Sequence, residues 1–556
     1  MRVTWIGLSC SYSHTSYALP QIHAACADLA DIEWTALPCT INDPVTPLVD
    51  RVVDSRPDVI AATAYLFTRE AVLRLVRRVK ALLPHVTVVL GGPEFLGDNT
   101  AFLRGEPAVD AVLRGEGETA FRRFLEARLV GAGFAGLAGW CWRDAAGRCH
   151  DQGTAVADGL FESLPPPSAS PFLDVGKPFV QIETARGCFA RCAYCTSSVG
   201  GPVRTAPLAW VERELHGLRE RGVCEVRIID RTFNADPRRC RALLDLFRNA
   251  FPTMRFHLEI HPAMLAAGVR DALAAAPPGQ LHVEAGFQSS STAALAALDR
   301  AGDPAAAWDG LAFLCGLHNL ATHVDLLAGL PGVTFEFLLE DLARLIALDP
   351  AEIQLETLKL LPGTPLVAKA AGLGLAFAPD PPYEVLRSDA MSAADLNRAR
   401  LLSRVVDGWY NDPRLRPVMR QATASEPAFP ADFLDALVAQ GKAEAPASLE
   451  NRFQFLEAYA RSRGMAEVGD AAVYQWFLHG LPAEPHAARA RQWRLPLPAE
   501  AIVIEGAWDA ARQTVRPRIW QVDLGGRPHW FVYEPQPGTG HRATAVLAMP
   551  APTRPL

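Results

Sequence analysis

The stretch Cys188-Phe189-Ala190-Arg191-Cys192-Ala193-Tyr194-Cys195 decides how this 556-residue sequence is interpreted. Its three cysteines have C-x3-C-x2-C spacing, and the short apolar run 178–182 before them predicts a strand that leads into a cysteine-bearing loop. A tight loop with these spacings can direct three thiolates at one point, and thiolates favour iron–sulfur clusters, zinc or Cu(I). A four-iron cluster usually takes four cysteines, so three would leave one iron open to another ligand.

A structural zinc site is the alternative for these cysteines. Such a site needs four protein ligands. No second C-x2-C pair follows in the sequence. The spacing therefore favours a cluster with one open iron.

With an aromatic residue directly before the third cysteine, the motif resembles the signature of the radical S-adenosylmethionine (SAM) enzymes. The resemblance implies that Cys188, Cys192 and Cys195 bind a [4Fe-4S] cluster, that SAM binds its open iron, and that Tyr194 lies on the SAM side. It also implies that one electron from the cluster cleaves SAM to methionine and a 5′-deoxyadenosyl radical, which abstracts hydrogen from the substrate.

Composition limits the remaining possibilities. The length predicts two to four domains, and 49% apolar with 21% charged residues is ordinary for a soluble globular protein. The net charge of −7 offers no general basic surface for nucleic acid. No apolar run reaches the roughly 20 residues of a membrane span, and the first residues do not resemble a signal peptide. Eleven cysteines without framework spacing predict a reducing compartment, the cytoplasm.

The first 135 residues predict a doubly wound, Rossmann-like α/β domain. Strands and helices alternate, which indicates a parallel sheet whose ligand lies outside the carboxyl ends of the strands. The turns Gly91-Gly92-Pro93-Glu94 and Gly115-Glu116 lie at such ends. Taken singly, these glycines could simply be tight strand exits. The predicted strands are 2–8, 32–37, 58–65, 86–90 and 109–113.

Together these turns resemble the cobalamin-binding domain that precedes the barrel in many radical SAM enzymes. The Asp-x-His-x-x-Gly motif that supplies a cobalt ligand in other cobalamin proteins is missing from the sequence, as is common in the radical SAM branch, so no cobalt ligand is assigned. The resemblance implies that the cobalamin-binding residues are Ser11, Tyr65, Gly91, Gly92, Pro93, Glu94, Gly115 and Glu116.

Six further strands separated by helices predict a partial (β/α)6 barrel, in which chemistry collects at the C-terminal strand ends. Glu259 stands in an otherwise apolar strand, where burial is costly unless the carboxylate is paired, so we expect it to face the barrel mouth. Gln288 and Ser289 end the fourth strand, Arg300 follows it, and Asp325 lies in the fifth. The predicted strands are 179–184, 225–230, 255–260, 281–287, 323–327 and 353–358.

These polar positions resemble the SAM-binding residues of the radical SAM branch typified by oxygen-independent coproporphyrinogen oxidase. The resemblance implies that Arg300 pairs with the SAM carboxylate and that Gln288 and Asp325 bind the ribose. Glu259 would bind the amino group or the ribose. Carboxylates, arginine and polar acceptors suit these groups of SAM. Tyr194 and Ser289 complete the predicted SAM site.

The predicted domains follow from these patterns. Residues 1–135 form the cobalamin-binding domain, and 136–172 form a hairpin and a Pro-rich linker. Residues 173–390 form the radical SAM barrel. Residues 391–485 form a helical region, and 486–556 form a small β-rich tail with a hairpin that turns at Gly525-Gly526. The C-terminal third contains no motif.

The resemblance implies a cobalamin-dependent radical SAM enzyme that methylates an unactivated carbon of a small molecule or natural product. Its electron would come from a reducing partner such as flavodoxin or ferredoxin. Two alternatives stay open: a cobalamin-assisted cyclisation or rearrangement without methyl transfer, and a non-catalytic sensor that uses the cluster or cobalamin. The SAM-matching residues argue against the sensor, because a sensor has no need to hold SAM at both ends.

Overall fold

The computed structural model describes residues 1–550 except Thr15, Asp158, Ser163, Gly200, 509–516 and 535–541. The chain divides into two compact units, residues 1–335 with 356–396 and residues 336–355 with 397–556. Of the helices in these described ranges, none has the length and apolar character needed to cross a lipid bilayer.

The first sheet has seven strands in the order β2-β1-β3-β4-β5-β6-β7. The five predicted strands are confirmed as its parallel part, which ends at β5. The strands are β1 (Arg2–Ser9), β2 (Glu33–Thr40), β3 (Val59–Thr63), β4 (Thr87–Gly91), β5 (Ala111–Leu113), β6 (Trp140–Arg143) and β7 (Cys149–Asp151). The helices are α1 (Ala18–Cys26), α2 (Val45–Asp54), α3 (Arg69–Leu82), α4 (Thr100–Gly105) and α5 (Gly117–Leu129).

The predicted hairpin at 140–150 forms and also extends this sheet. Its strands β6 and β7 add antiparallel to β5, a pairing that was not predicted. Successive residues of the central strands belong to different hydrophobic clusters: Ile60 and Val88 to one, Val59 and Val89 to the other. Since successive side chains of a strand point to opposite faces, both faces of the sheet are covered.

The second sheet has six strands in the order β15-β14-β13-β12-β11-β8, which agrees with the predicted six-strand barrel. Pairing from β8 through β14 is parallel. The strands of this region are β8 (Val180–Ile182), β9 (Ala185–Arg186), β10 (Arg204–Thr205), β11 (Glu225–Ile228), β12 (Arg255–Ile260), β13 (Leu281–Gln288), β14 (Leu320–Ala328), β15 (Glu352–Thr357), β16 (Ala376–Phe377) and β17 (Val385–Arg387). The helices are α6 (Leu208–Glu220), α7 (Pro237–Ala250), α8 (Ala267–Ala274), α9 (Thr292–Ala297), α10 (Pro304–Cys315), α11 (Phe335–Leu348) and α12 (Pro365–Lys369).

The C-terminal region contains helices and then a small sheet, as predicted, but the sheet is larger than one hairpin. The hairpin β20–β21 is confirmed within five strands in the order β18-β20-β21-β22-β19. The strands are β18 (Ala490–Trp493), β19 (Ile502–Gly506), β20 (Arg518–Leu524), β21 (Arg527–Tyr533) and β22 (Ala545–Ala548). The helices are α13 (Ala393–Val405), continued by a π-helical turn (Val406–Tyr410), α14 (Arg416–Ser425), α15 (Phe429–Ala439), α16 (Leu449–Ser462) and α17 (Ala466–Leu478).

Candidate functional site

The cysteine-bearing loop is closed at its base by a short β-ladder. It leaves the barrel after β8, and the two-residue strands β9 and β10 pair antiparallel across its ends, Arg186 opposite Arg204. The Asp230 carboxylate, at the end of β11, accepts hydrogen bonds from the backbone N–H groups of Thr184 (2.6 Å) and Ala185 (2.8 Å). Burial raises the pKa of Asp230 to about 6. The loop therefore starts from a fixed position at the barrel mouth.

All three cysteines of the motif are free thiols. Cys192 is buried, whereas Cys188 and Cys195 are half-buried. Burial raises the pKa of the Cys192 thiol, and the nearby Arg300 guanidinium, whose Nη1 lies 3.8 Å from Sγ, opposes that shift. The backbone N–H of Ser197 donates to Cys195 Sγ at 3.4 Å. Cys192 thus has a cation nearby, but burial outweighs it and keeps the pKa of the Cys192 thiol raised.

The spacing of the sulfurs is relevant to the zinc alternative. Among the described residues, the three cysteine sulfurs do not form a group with all mutual distances within 4.8 Å. Three thiolates on one zinc ion, each about 2.3 Å from the metal, would lie roughly 3.8 Å apart. The three sulfurs are therefore farther apart than the ligands of one zinc ion.

Four of the residues predicted to bind SAM or the cluster converge at the end of β13. Arg300 donates to the Gly286 carbonyl and to the Tyr194 hydroxyl, the latter at 3.3 Å. A Cβ built on Gly286 would lie 3.3 Å from both Arg300 Nη2 and Gln288 Nε2, so these two side chains meet over this glycine. Gln288 has φ +75°, a left-handed conformation at the strand end. Cys192 belongs to this group because its Sγ lies 3.8 Å from Nη1 of Arg300.

Glu259 and Asp325 lie on the neighbouring strands β12 and β14. The side chain of Glu259 is 29% exposed and lies 3.8 Å from Arg231. Burial raises the pKa of Glu259 to about 7; Arg231 opposes the shift and Glu284 adds to it. Asp325 pairs in register with Gly286, and its Oδ1 lies 3.4 Å from Nε2 of His323.

Ser289, also predicted to bind SAM, is buried. Its hydroxyl accepts a hydrogen bond from the backbone N–H of Ser291 at 3.1 Å. That contact shapes the turn into α9, and the role of Ser289 toward SAM stays a prediction.

The first domain has a cavity of about 180 Å³ at the carboxyl ends of its parallel strands. It lies where a doubly wound sheet binds its ligand. The walls are mostly apolar, with contributions from Ala18, Ala61 and Leu113. Five of the residues predicted to bind cobalamin line it, namely Tyr65, Gly91, Gly92, Pro93 and Gly115.

The other three predicted cobalamin residues make contacts of their own. Ser11 hydrogen-bonds His14 Nδ1 at 2.7 Å. Glu94 is buried and accepts from the Tyr383 hydroxyl at 2.6 Å. Glu116 forms an ion pair with Arg204. Glu94 and Glu116 therefore tie the first domain to later parts of the first unit.

The turn glycines are required by the backbone as well as by the cavity. Gly92 has φ +109°, and a Cβ there would lie 2.7 Å from the Ala64 carbonyl oxygen. Gly115 has φ +102°, and a Cβ would lie 2.2 Å from the Ala155 carbonyl oxygen. These glycines are thus tight strand exits, and they also line the cavity.

The sequence analysis missed a buried ion-pair network centred on Arg186, two residues before Cys188. Its guanidinium pairs with Glu118 of α5 at 2.6 Å, with Glu183, and with Glu116 at 3.5 Å. Burial opposes the charge of Arg186, but Glu118 and Glu183 outweigh it and raise the pKa of Arg186 well above its ordinary value. An arginine between a buried strand and the cysteines was the only sequence signal for this network.

Two further contacts complete the network between the first domain and the cysteine loop. Gln21 Nε2 donates to Glu183 Oε1 at 2.6 Å. The Glu116 carboxylate accepts from the backbone N–H of Ala157 at 2.6 Å while pairing with Arg204 of β10. Both ends of the cysteine loop, Arg186 and Arg204, are thus held by carboxylates from the first domain.

Comparison with known proteins finds family matches in two parts of the chain. Residues 3–125 match the family model described as the B12 binding domain. Residues 372–479 match a family described as a protein of unknown function, DUF4080.

Curated relatives match parts of the chain. An uncharacterized methyltransferase of Pyrococcus horikoshii is 28% identical over 191 residues, which cover 33% of this chain and 41% of the relative. The cobalamin-dependent radical SAM methyltransferase TokK of Streptomyces tokunonensis is 36% identical over 92 residues, or 16% of this chain and 13% of TokK. The chain thus spans less than half the length of these relatives.

Two solved structures share the fold over most of the chain. TsrM of Kitasatospora setae, a radical SAM methyltransferase solved with cobalamin and a [4Fe-4S] cluster, has a TM-score of 0.56 at 20% identity and covers 72% of this chain and 84% of its own. OxsB, a cobalamin-dependent SAM radical enzyme solved with aqua-cobalamin, has a TM-score of 0.60 at 14% identity and covers 86% of this chain and 79% of its own.

We expect Arg186→Ala to destabilise the first unit by about 3–5 kcal/mol, because it leaves Glu118 and Glu183 buried without their cation. The displaced loop should also incorporate less iron on anaerobic reconstitution. Thermal unfolding and iron content measure the two effects. Arg213→Ala, at an exposed position of α6, is the matched control. Wild-type melting and iron content in Arg186→Ala would contradict the role given to the network.

Proposed function

Because the chain belongs to the cobalamin-dependent radical SAM family, we propose that it is an enzyme that cleaves SAM reductively and methylates an unactivated carbon of a small-molecule or natural-product substrate. The observation that carries the proposal is the convergence of Cys192, Tyr194, Arg300 and Gln288 at one point of the barrel mouth. A sensor would have no need for residues that hold SAM beside its cysteines.

The donor set suits the three cofactors. Cys188, Cys192 and Cys195 would hold a [4Fe-4S] cluster, and the apolar cavity of the first domain would take part of cobalamin. When bound, the cluster would supply an electron, SAM would be the source of the radical, and cobalamin would carry the methyl group.

The chain's own residues would orient SAM from both ends. The Arg300 guanidinium can pair with a carboxylate in bidentate geometry, and its contacts to Tyr194 and the Gly286 carbonyl hold it in place. Glu259, once ionised, would accept from the SAM ammonium. Gln288 and Asp325 would bind the ribose hydroxyls.

The substrates named for two related proteins support a small-molecule substrate. A third relative is named 2-(S-pantetheinyl)-carbapenam-3-carboxylate methyltransferase, from Streptantibioticus cattleyicolor, and TsrM has also been solved with tryptophan as substrate. A one-electron donor such as flavodoxin or ferredoxin would reduce the cluster. The name of OxsB includes no methyl transfer, so cyclisation or rearrangement stays the second candidate.

The first test is SAM cleavage by protein reconstituted anaerobically with iron, sulfide and hydroxocobalamin, with dithionite as reductant. We expect 5′-deoxyadenosine from the wild type and none from Cys192→Ala, which loses a cluster ligand. Cys224→Ala, at an exposed cysteine outside the loop, is the matched control and should keep the activity. A colourless wild-type protein that binds zinc through the three cysteines and releases no 5′-deoxyadenosine would refute the proposal.

SAM with a deuterated methyl group then separates the two enzyme candidates. Mass spectrometry of the bound corrinoid after incubation should find the label if the protein is a methyltransferase. Cleavage of SAM without any label on the corrinoid or on added small molecules would favour the non-methylating candidate.

The cavity gives a prediction for cobalamin alone. Ala18→Phe places a large side chain into the cavity wall and should reduce hydroxocobalamin binding at least tenfold. Ala81→Phe, on the exposed side of α3, is the matched control. Absorbance of protein-bound cobalamin after gel filtration measures the effect, and iron content checks that the barrel is intact. Undiminished cobalamin in Ala18→Phe would place its site elsewhere.

The raised pKa of Glu259 predicts that SAM affinity depends on pH. A carboxyl with a pKa of about 7 is mostly neutral at pH 6 and mostly ionised above pH 7.5, and only the ionised form attracts the SAM ammonium. We expect several-fold tighter SAM binding at pH 7.5 than at pH 6. Glu259→Gln should remove this dependence, whereas Glu212→Gln on α6 should keep it. Equilibrium dialysis measures SAM affinity at the two pH values. An equal pH dependence in the wild type and in Glu259→Gln would show that Glu259 does not bind the SAM ammonium.

A further inference from the structure

The cysteine-bearing loop and the chain that leaves it expose three large apolar side chains to solvent. Phe189, between the first two cysteines, is 40% exposed, Val199 is 40% exposed and Val203 is 39% exposed. Arg191, also between cysteines, is exposed as well. We call these four residues the outer loop face. Single exposed apolar residues are normal on a protein surface, but a group of them marks an interaction site.

The apolar residues of the outer loop face lie around the cysteines. A Cβ built on Gly187 would lie 3.0 Å from the carbonyl oxygen of Pro202. The next residue, Val203, therefore lies beside the start of the loop. At the other end, Val199 follows a turn in which the backbone N–H of Ser198 donates to the carbonyl of the last cysteine at 3.1 Å.

The opposite side of the loop packs on the barrel. Cys192 is 5% exposed and Ala193 is fully buried. The backbone N–H of Ala193 donates to the Leu298 carbonyl at 2.8 Å, and its carbonyl accepts from the N–H of Leu366 at 2.8 Å. The loop is thus held from its inner side, and its outer side is open to a partner.

The charge of this segment differs from that of the chain. Residues 184–211 contain no Asp or Glu, although 61 acidic residues in 556 would place about three in a stretch of this length. The segment has three arginines, and two of them, Arg186 and Arg204, pair with carboxylates of the first domain. In the described ranges, the third, Arg191, forms no ion pair and no hydrogen bond through its side chain.

One carboxylate does come near the loop. Asp299 is the residue after Leu298, whose carbonyl binds the loop backbone. Its carboxylate forms an ion pair with Lys369, so the two charges offset each other. The positive charge of Arg191 therefore remains available to a partner.

We propose that the outer loop face is the docking surface for an acidic protein that carries one electron, of the flavodoxin or ferredoxin type. This inference rests on the proposed function, because only a reducible cluster needs such a partner. The apolar side chains would form the centre of the contact, and Arg191 would attract the carboxylates of the carrier. The transfer oxidises the carrier by one electron and reduces the cluster by one electron.

The charge argues against a second copy of this chain as the occupant. A two-fold symmetric contact places the same surface on both sides of the interface. Such a contact through the outer loop face would bring the Arg191 side chains of both copies together, and like charges repel. An acidic carrier meets no such repulsion.

Binding of a bacterial flavodoxin to the full-length, anaerobically reconstituted protein tests the proposal. Arg191→Glu and Phe189→Ala should each weaken binding roughly tenfold, the first by charge reversal and the second by loss of an aromatic contact. Arg78→Glu makes the same charge change at an exposed position of α3 and is the matched control. Biolayer interferometry measures the affinity, which should fall as salt is added.

A comparison of two reductants separates docking from damage to the cluster site. With flavodoxin as reductant, both variants should form 5′-deoxyadenosine about tenfold more slowly than the wild type. With dithionite they should match the wild type, because a small reductant needs no docking surface. Electron paramagnetic resonance of the reduced cluster gives the same comparison without SAM cleavage, so docking is tested even if the proposed function fails.

Four outcomes would overturn the proposal. The first is equal flavodoxin affinity in the wild type and in the Arg191 and Phe189 variants. The second is an equal loss of cluster reduction with both reductants, which would give these residues a role at the cluster itself. The third is a wild-type cluster that dithionite reduces and flavodoxin does not. The fourth is a dimer on gel filtration that Arg191→Glu dissociates, which would assign this face to a second copy.

Discussion

The ion pairs of Arg186 are the constraint on which the site depends. A buried guanidinium is tolerated only when its carboxylates are in place, and these come from both sides: Glu183 from the barrel, and Glu118 from the first domain. Leaving any one of these buried charges unpaired would destabilise the protein by about 3–5 kcal/mol, so each charge depends on the others. Cys188 follows Arg186 by two residues, so the ion pairs that fix Arg186 also fix the start of the cysteine loop.

The same network connects the cysteine loop to the cavity of the first domain. Glu116 and Glu118 lie at the start of α5, directly after Gly115, which lines the cavity. A shift of this turn would therefore move the cavity wall and the partners of Arg186 and Arg204 together. Chemistry between groups held on two domains requires such a fixed separation, because small errors in position reduce rates strongly. Glu94, bonded to Tyr383, adds a second connection within the same unit.

Local patterns predicted most of this fold, and the errors arose where pairing is not local. Apolar runs and helix periodicity located the parallel strands of both sheets, but only long-range contacts decide that the hairpin at 140–150 adds to β5. The cysteine motif and the glycine turns are local signals and were found. Glu94 was predicted to bind cobalamin, but its carboxylate accepts a hydrogen bond from Tyr383, 289 residues later in the chain. No local sequence pattern near Glu94 predicts that contact.

The barrel interior contains a layer of polar residues, His257, His282, Glu284 and His323, that could have been predicted from the sequence. Glu259 was singled out because a carboxylate in an apolar strand is costly to bury, and the same reasoning applies to His257 two residues earlier. With a two-residue period, a polar residue at the mouth and one two positions before it must face the same way. The pairs 282/284 and 323/325 repeat this pattern on adjacent strands. A barrel interior built in this way is not an apolar core, because three adjacent strands each carry a pair of polar residues on the same face.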